Sequence, residues 1–315
     1  MAQRYSDTIF ALATSRQKSA LALFRISGKE SIILVNKILS RKNKEIKKPL
    51  VTYLIDENDD KIDQVVVTAY KSPLSYTGEN MVEISCHGSV AIINKITEVF
   101  FKNKMRLAEP GEFTKRALLN NKLSLVQAET INELINAETE KQRKISIGNL
   151  SGKLDVFIEN VSKNLLKLLA DVEAIIDFAD EDLPEQLTRS IVEQKENLII
   201  LLDQTIKNSL LSKKIYEGYR VSVIGKPNTG KSSFINFINN KEISIVTSIP
   251  GTTTDLISSV LEIEGDKYTF IDTAGIRKHK NLIEKIGIEK SIESAKNSDL
   301  TLVFLKNNEK NNYKN

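Results

Sequence analysis

The sequence is poor in cysteine, in histidine and in long apolar runs. Its 315 residues include one cysteine, Cys86, and two histidines. A single cysteine excludes a disulfide framework and a cysteine-based zinc site, and it is typical of a reducing cytoplasm. No apolar run approaches the ~18 residues of a membrane helix, and the N-terminus has no charged-then-apolar leader pattern. The composition therefore predicts a cytoplasmic protein that does not cross a membrane.

Charge and length set few limits on function. With a net charge of +4, 27% charged residues and 41% hydrophobic residues, the composition is ordinary for a globular protein. So small a positive excess names no partner, although it permits a local basic surface for nucleic acid. A length of 315 residues predicts two or three domains.

Residues 225–232 form the most informative motif. They match the phosphate-binding pattern G-x-x-x-x-G-K-[ST], with a β-branched run at 219–224 before them and an apolar helical pattern at 233–238 after them. A glycine-rich turn that leads into a helix aims backbone N–H groups and the positive end of the helix dipole at phosphate. In such a loop Lys231 reaches the β- and γ-phosphates and Ser232 binds Mg²⁺. The motif predicts a nucleoside-triphosphate site.

Three downstream segments indicate the class of nucleotide-binding protein. Residues 249–255 lie where a switch I loop closes a threonine hydroxyl on Mg²⁺. Two apolar runs, 257–263 and 267–272, flank a Glu-Gly-Asp turn and predict a hairpin. The second run ends at Asp272, where a Walker-B carboxylate meets Mg²⁺ through water. Each segment alone is consistent with an ordinary loop or turn, but together and in this order they predict a small GTPase core.

The first 118 residues predict an α+β domain. Apolar periodicity indicates strands at residues 8–13, 20–26, 51–55, 64–69 and 81–85 and helices at 31–39 and 90–101. Cys86 and His87 are adjacent, and neighbouring strand residues point to opposite faces, so we do not expect a thiol–imidazole pair. The favoured interpretation is a strand end that turns at Gly88.

Residues 119–217 predict a helical domain. Between residues 123 and 211 glycine and proline are almost absent, and apolar residues recur at steps of three and four. The resulting apolar seam consists of Leu150, Leu154, Ile158, Val161, Leu165, Leu168, Val172 and Ile175. An acidic loop at 176–184 is expected to end this helix, and a second helix is predicted at 187–211. We interpret the seam as the core of a helical bundle in preference to a groove for a partner.

Motifs over nearly the whole chain resemble one family. They are FRISG at 24–28, SYTGE at 75–79, CHG at 86–88, PGEFTKRA at 110–117, NKL at 121–123 and QAE at 127–129, followed by the GTPase motifs. With these motifs the chain resembles the tRNA-modification GTPases of the MnmE (TrmE) family, and the N-terminal motifs belong to that family and not to GTPases at large. The resemblance implies a folate-binding N-terminal domain that also dimerises, a helical domain, and a G domain inserted into it.

The resemblance also implies a folate ligand and protein partners. Arg25, Glu83 and Lys122 match the positions that bind 5-formyl- or methylene-tetrahydrofolate, with Glu79 as a nearby alternative to Glu83. A carboxylate can accept hydrogen bonds from the pterin edge, and cations suit the glutamate tail. The family acts as a homodimer with a flavin-dependent partner, MnmG, in a heterotetramer. Together they add a carboxymethylaminomethyl group to the wobble uridine of certain tRNAs.

For the nucleotide, the resemblance implies a set of residues that spans the phosphate loop, switch I and the Walker-B segment. The GTP contacts are Asn228, Thr229, Gly230, Lys231, Ser232, Ser233, Thr247, Ser248, Ile249, Pro250, Gly251, Thr252, Thr253, Asp272, Thr273, Ala274 and Gly275. Mg²⁺ falls to Ser232 and Thr253, and K⁺ to Asn228, Thr247, Ile249 and Thr252. Spacing alone does not distinguish among Thr252, Thr253 and Thr254 as the Mg²⁺ ligand.

The residues after the Walker-B segment predict a mechanism unlike that of Ras. Ile276 stands where Ras has the glutamine that orients water, and an isoleucine cannot do so. Glu284 matches the catalytic glutamate of the family. By the same resemblance, K⁺ supplies the charge that an arginine finger supplies in other GTPases.

The chain departs from the family pattern at two places. Thr254 stands where the family usually has arginine. The chain ends at Asn315, soon after a strand predicted at 300–305, without the Asn-Lys-x-Asp guanine motif and the C-terminal Cys-x-Gly-Lys ending. The expectation from sequence is a fragment or the product of a truncated reading frame.

The predicted architecture is multidomain. It comprises an α+β folate-binding domain at 1–118, the first half of an α-helical bundle at 119–217 and an incomplete α/β P-loop GTPase domain at 218–315. The predicted function is that of a GTP hydrolase of tRNA modification. Two alternatives are a folate-binding dimerisation module with a non-functional G domain, and a ribosome-assembly GTPase, which lacks the context of Arg25 and Lys122.

Overall fold

The computed structural model describes residues 7–41, 48–177, 185–225, 229–239, 257–272 and 295–305. The chain divides into two compact units, Met1–Glu129 and Thr130–Asn315. The first unit carries the predicted folate residues, and the second carries the long helices and the nucleotide motifs. The domain boundaries predicted at residues 118 and 217 stay predictions.

The first unit is built on a six-stranded sheet. Its strands are β1 (Ile9–Leu12), β2 (Ser19–Ser27), β3 (Leu50–Ile55), β4 (Lys61–Tyr70), β5 (Met81–Gly88) and β6 (Arg106–Leu107), in the order β3-β4-β5-β2-β1-β6. Its helices are α1 (Ser31–Lys37), α2 (Val90–Lys102) and α3 (Glu112–Leu119), and α4 (Leu125–Ile135) crosses the boundary between the units. Neighbouring strands are antiparallel except β1 and β6, which are parallel. This arrangement confirms the predicted α+β class.

Helices cover one face of this sheet. Phe24 of β2 and Ile84 of β5 are at most 1% exposed and form a hydrophobic core with Phe100 of α2. The rings of Phe24 and Phe100 meet edge to face with centroids 5.3 Å apart, and burying a side chain of this size contributes about 1.5–3 kcal/mol. Because strand residues alternate between faces, Arg25 and Glu83 lie on the opposite face.

Cys86 and His87 also lie on opposite faces of β5. The Cys86 thiol is buried in the core, and burial, together with the nearby Asp63 carboxylate, raises its pKa to about 11. The His87 ring is exposed, and its Nδ1 lies 2.7 Å from Asp63 Oδ1. The prediction that the two residues form no thiol–imidazole pair is confirmed. A buried thiol with a raised pKa is chemically inert.

A buried network of charges ties α3 to the first described residues and to the loop before β5. The guanidinium of Arg116, which is 1% exposed, donates to Asp7 Oδ1 at 2.8 Å, to Glu112 Oε1 at 3.0 Å and to Glu79 Oε2 at 3.2 Å. Arg106, whose side chain is 44% exposed, forms further ion pairs with Asp7 and Glu112. Buried charges persist in proteins when they are paired and hydrogen-bonded. The network therefore fixes three separate segments of the unit to one another.

Within this network, Glu112 makes the stability of the unit depend on pH. Burial alone would raise its pKa, but hydrogen bonds from Arg106, from the backbone N–H of Glu109 and from Arg116 outweigh burial and lower the pKa from 4.5 to about 2. The unfolded chain therefore takes up this proton at a higher pH than the folded chain. Glu112 stabilises the fold fully above pH 4.5, and this contribution, about 3 kcal/mol, is lost as the pH falls from 4.5 to 2.

Urea unfolding at a series of pH values from about 7 down to about 2 measures this dependence. We expect the wild type to lose more stability over the acid range than Glu112→Gln, which has no proton to take up. Glu129→Gln, which alters an exposed glutamate, is the matched control and is expected to follow the wild type. Parallel pH curves for the wild type and Glu112→Gln would contradict the prediction.

The second unit combines long helices with a four-stranded sheet. The helices are α5 (Glu140–Leu150), α6 (Lys153–Asp177), α7 (Glu185–Glu217) and α8 (Lys231–Asn239). The strands are β7 (Tyr219–Gly225), β8 (Ile257–Ile263), β9 (Asp266–Asp272) and β10 (Leu300–Phe304), in the order β10-β7-β9-β8. β7 is parallel to both β9 and β10, and β8 is antiparallel to β9. These elements confirm the predicted helical and α/β parts of the fold.

The structure corrects the prediction for the apolar seam. Leu150 ends α5, and Gly152, with a left-handed φ of +90°, separates that helix from α6. α6 packs against α5 and α7, yet none of its residues is buried, and Leu165 and Val172 are 48% and 36% exposed. Two packed helices cover only a narrow stripe on each other. Within the described residues the seam is therefore not a buried bundle core. Most of the acidic loop predicted at 176–184 lies outside them.

The start of α5 holds the hairpin between β8 and β9. Thr139 and Gln142 form a capping box at the N-terminus of α5. Lys141 Nζ lies 2.9 Å from Asp266 Oδ1 at the first residue of β9. Gln142 Nε2 donates to the Ile215 carbonyl near the end of α7 at 2.8 Å. These contacts attach the helices to the base of the strand that carries the Walker-B motif.

Candidate functional sites

β7 brings the phosphate-loop motif to one edge of the sheet. Val221 and Val223 of this strand are at most 1% exposed, which anchors it in the core. Gly225 ends the strand with φ +150°, and a Cβ at this position would lie 2.4 Å from the carbonyl oxygen of Phe304 in β10. Only glycine fits a contact that short. The first glycine of the motif is thus required where the chain leaves the sheet.

Lys231 lies in the first turn of α8 and is 7% exposed. Its Nζ donates to the Gly225 carbonyl at 2.5 Å, which holds the ammonium beside the residue that begins the loop. Gly230, at φ +94°, makes the turn into the helix. Phe234 fastens α8 to the sheet through an edge-to-face contact with Phe270, with centroids 6.0 Å apart. A buried ammonium at a helix N-terminus is suited to bind phosphate.

Asp272 is placed at the same edge. It is the last residue of β9, directly opposite Val223 in the parallel pairing with β7, two residues before Gly225. Carboxyl ends of parallel strands meet at one edge of a sheet, where such folds bind their ligands. Thr229, Gly230, Lys231, Ser232 and Ser233 follow at the junction of the loop with α8. The structure thus brings together the described members of the predicted nucleotide site.

The other predicted nucleotide, ion and catalytic residues lie outside the described residues. They are Asn228, Thr247, Ser248, Ile249, Pro250, Gly251, Thr252, Thr253, Thr273, Ala274, Gly275 and Glu284. Their roles stay predictions.

In the first unit, Arg25 and Glu83 are bound to each other. They lie opposite one another in the antiparallel pairing of β2 with β5. Arg25 Nε and Nη2 both donate to Glu83 Oε1, at 2.9 and 2.7 Å, and the two side chains are 29% and 19% exposed. The other carboxylate oxygen, Oε2, accepts from the Tyr70 hydroxyl at 3.3 Å. The half-buried Glu83 carboxylate is therefore held from two sides.

The loop before β5 joins this pair to Lys122. Tyr76 in the loop lies under the Arg25 guanidinium, 5.2 Å from Cζ to the ring centroid. The Asn120 side chain donates to the Thr77 carbonyl at 2.7 Å. A Cβ on Gly78, at φ +76°, would lie 3.1 Å from Lys122 Cγ. The loop therefore places the exposed Lys122 in the same region as the Arg25–Glu83 pair.

Sequence reasoning missed two tyrosines of this region. Tyr76 stands within a motif used for the resemblance but had no assigned role, and its hydroxyl lies 2.9 Å from Thr114 Oγ1. Tyr70 belongs to no motif. Its position becomes informative only with the strand register, because Thr68 pairs with Glu83 and Tyr70 is two residues further on the same face.

No group of three or more histidine, cysteine, aspartate and glutamate side chains within the described residues could hold a metal ion. No helix in the same ranges is long and apolar enough to span a membrane.

Two family models match the chain. The model for the N-terminus of the GTP-binding protein TrmE matches residues 8–122. The model for the MnmE helical domain matches residues 125–312. Together they cover most of both compact units, including the long helices.

Curated relatives are similar along almost all of the chain. The tRNA modification GTPase MnmE of Aquifex aeolicus is 42% identical over 301 residues, which are 95% of this chain and 67% of the relative. The protein of the same name from Thermotoga petrophila is 40% identical over 300 residues, 95% of this chain and 66% of the relative. The chain thus spans about two thirds of the length of these relatives.

Among solved structures, the G domain of the T. maritima FeoB iron transporter matches 27% of this chain and 54% of its own at 25% identity, with a TM-score of 0.20. A similarity of that size carries no weight for the fold or the function.

Proposed function

Because the chain belongs to the MnmE (TrmE) family of tRNA modification GTPases, we propose that it binds GTP and hydrolyses it during tRNA modification. The observation that carries this proposal is the phosphate loop, in which the buried Lys231 ammonium contacts the Gly225 carbonyl while Asp272 ends the neighbouring strand. In the proposed reaction the protein acts in the cytoplasm as a homodimer. With the flavin-dependent partner MnmG it contributes to the carboxymethylaminomethyl group of wobble uridine in tRNA.

The buried Lys231 ammonium at the start of α8 supports the binding of a nucleotide phosphate. Lys231 would hold the β- and γ-phosphates, and the N–H groups at the start of α8 would face them. Ser232, Thr253 and Asp272 would hold Mg²⁺, which neutralises phosphate charge when bound. Glu284 would orient the attacking water. A potassium ion would be held by Asn228, Thr247, Ile249 and Thr252.

We expect hydrolysis by this chain to require potassium and Glu284. With no glutamine after the Walker-B segment, the charge that develops in the transition state needs another source, and removing one such stabilising group typically costs about 100-fold in rate. The measurement is steady-state GTP turnover with Mg²⁺ in KCl and in NaCl of equal ionic strength, with the wild type and Glu284→Ala.

The outcomes separate the parts of the proposal. Faster turnover in KCl and loss of most of it in Glu284→Ala are the expected results. Equal turnover rates in the two salts would contradict the proposed potassium site. Absence of GTP turnover in both salts would contradict the proposed GTPase activity. It would favour the alternative, a folate-binding dimerisation module with a non-functional G domain.

The first unit is proposed to bind a reduced folate, 5-formyl- or methylene-tetrahydrofolate. The chemistry of its side chains supports this ligand, because a clamped carboxylate at Glu83 can accept hydrogen bonds from a pterin edge. Lys122 is an exposed cation in the same region for the glutamate tail. Arg25 already donates twice to Glu83, so its role here is to hold that carboxylate.

A further inference from the structure

Tyr70 contacts the carboxylate that is proposed to bind folate, and no motif assigns it a role. We propose that Tyr70 is a positioning residue whose hydroxyl fixes the plane in which the Glu83 carboxylate receives the pterin ring. The inference rests on the proposed folate binding and adds a residue to that site. It depends on three adjacent strands, β4, β5 and β2, each of which contributes one side chain.

Both carboxylate oxygens of Glu83 accept hydrogen bonds from neighbouring strands. Its Oε1 takes both hydrogen bonds from Arg25, at 2.9 and 2.7 Å, and its Oε2 takes the one from Tyr70, at 3.3 Å. Two donors on one oxygen fix the position of that oxygen, but they still allow the plane of the carboxylate to pivot about it. A donor on the second oxygen removes that freedom, because the terminal torsion of glutamate is broad when nothing else restrains it.

The planar pterin ring of the proposed ligand requires a carboxylate in a defined orientation. A pterin presents its N–H donors in a single plane, and a carboxylate oxygen accepts one of them along its lone pair only when the carboxylate is turned toward that plane. Holding the carboxylate before the ligand arrives reduces the conformational entropy lost on binding. Arg25 takes both lone pairs of Oε1 and Tyr70 takes one of Oε2, so the lone pair that remains for the ligand is on Oε2, the oxygen that Tyr70 holds.

The Tyr70 hydroxyl keeps its proton and can therefore donate a hydrogen bond to Glu83. Burial, and then the negative charge of Glu83 and the hydrogen bond to it, raise the pKa of Tyr70 above its ordinary value of 10.0, while Arg25 acts in the opposite direction. The phenol therefore remains a proton donor at neutral pH. Tyr70→Phe removes only the hydroxyl and keeps the ring, so it isolates this hydrogen bond.

The test is calorimetric titration of the full 315-residue chain with 5-formyl-tetrahydrofolate. Four proteins are compared: wild type, Tyr70→Phe, Glu83→Gln and the double variant. We expect Tyr70→Phe to weaken binding about tenfold, the loss typical of one hydrogen bond to a charged group. In the Glu83→Gln background the same change is expected to cost less than about twofold, because Tyr70 acts through Glu83.

A matched control and a ligand fragment sharpen the result. Tyr53→Phe alters a tyrosine on β3, two strands away from Glu83 on β5, and this variant is expected to bind folate as the wild type does. p-Aminobenzoylglutamate, which lacks the pterin, is expected to bind the wild type and Tyr70→Phe with equal affinity. Equal folate affinity of the wild type and Tyr70→Phe, or an equal loss in both backgrounds, would overturn the inference while folate binding stands. Absence of binding to the wild type would instead overturn the proposed folate ligand, and the inference with it.

Discussion

The substitution Lys231→Met is expected to lower GTP turnover by about 100-fold or more. Lys231 is the one described side chain of the phosphate loop that brings a positive charge, and it is 7% exposed at the start of α8. Methionine keeps most of the volume of the side chain but cannot neutralise phosphate. In a buried position the lost charge is poorly replaced by water, so its removal acts on the transition state more strongly than at a surface.

Two measurements separate this effect from damage to the fold. The Nζ of Lys231 also donates to the Gly225 carbonyl, and loss of that bond is expected to cost only about 1 kcal/mol of stability. We therefore expect the melting temperature to fall only slightly, whereas GTP turnover and the affinity for a fluorescent GTP analogue both fall strongly. Lys195→Ala, on an exposed face of α7, is the control and is expected to change neither. Wild-type nucleotide affinity in Lys231→Met would contradict the assignment of the loop.

The nucleotide edge could be predicted from sequence because short-range patterns specify it. A β-branched run ends at Gly225, and another ends at Asp272. Parallel strands in an α/β sheet place both ends at one edge, and the observed pairing of β7 with β9 agrees. No long-range contact had to be known beyond that rule.

The exposure of α6 could not be predicted in the same way. Apolar periodicity states which side chains share a helix face, but not what covers that face. Leu165 and Val172 keep the spacing of a core seam and are still 48% and 36% exposed. A helix of 25 residues buries its apolar face only to the extent that packed neighbours reach along it.

Pairings between distant residues were equally beyond the sequence. Tyr70 meets Glu83 only because the register of β4 and β5 sets Thr68 opposite Glu83. Arg116 and Asp7 are 109 positions apart and come together through the fold. Local patterns give strands and motifs, whereas such contacts depend on register and on the packing of loops.

The substitution Arg116→Met is expected to destabilise the first unit by about 3–5 kcal/mol. Arg116 is 1% exposed and stands between Asp7, Glu79 and Glu112. Glu112 is itself 5% exposed, so removing the guanidinium leaves carboxylates in a poorly hydrated site with less compensating charge. Lysine is not expected to rescue the loss, because one ammonium cannot reproduce the fork of donors that bridges three carboxylates.

Arg106→Met is the matched control, because Arg106 pairs with two of the same acids, Asp7 and Glu112, from a side chain that is 44% exposed. Water and Arg116 compensate for its loss, and we expect a cost of about 1 kcal/mol. Hydrogen exchange on the whole chain locates the effect, since Arg116→Met should speed exchange in β1, β2, β5 and α3 and leave β7, β9 and α7 of the other unit as they are. Equal destabilisation by the two substitutions would show that burial of Arg116 adds nothing to its ion pairs.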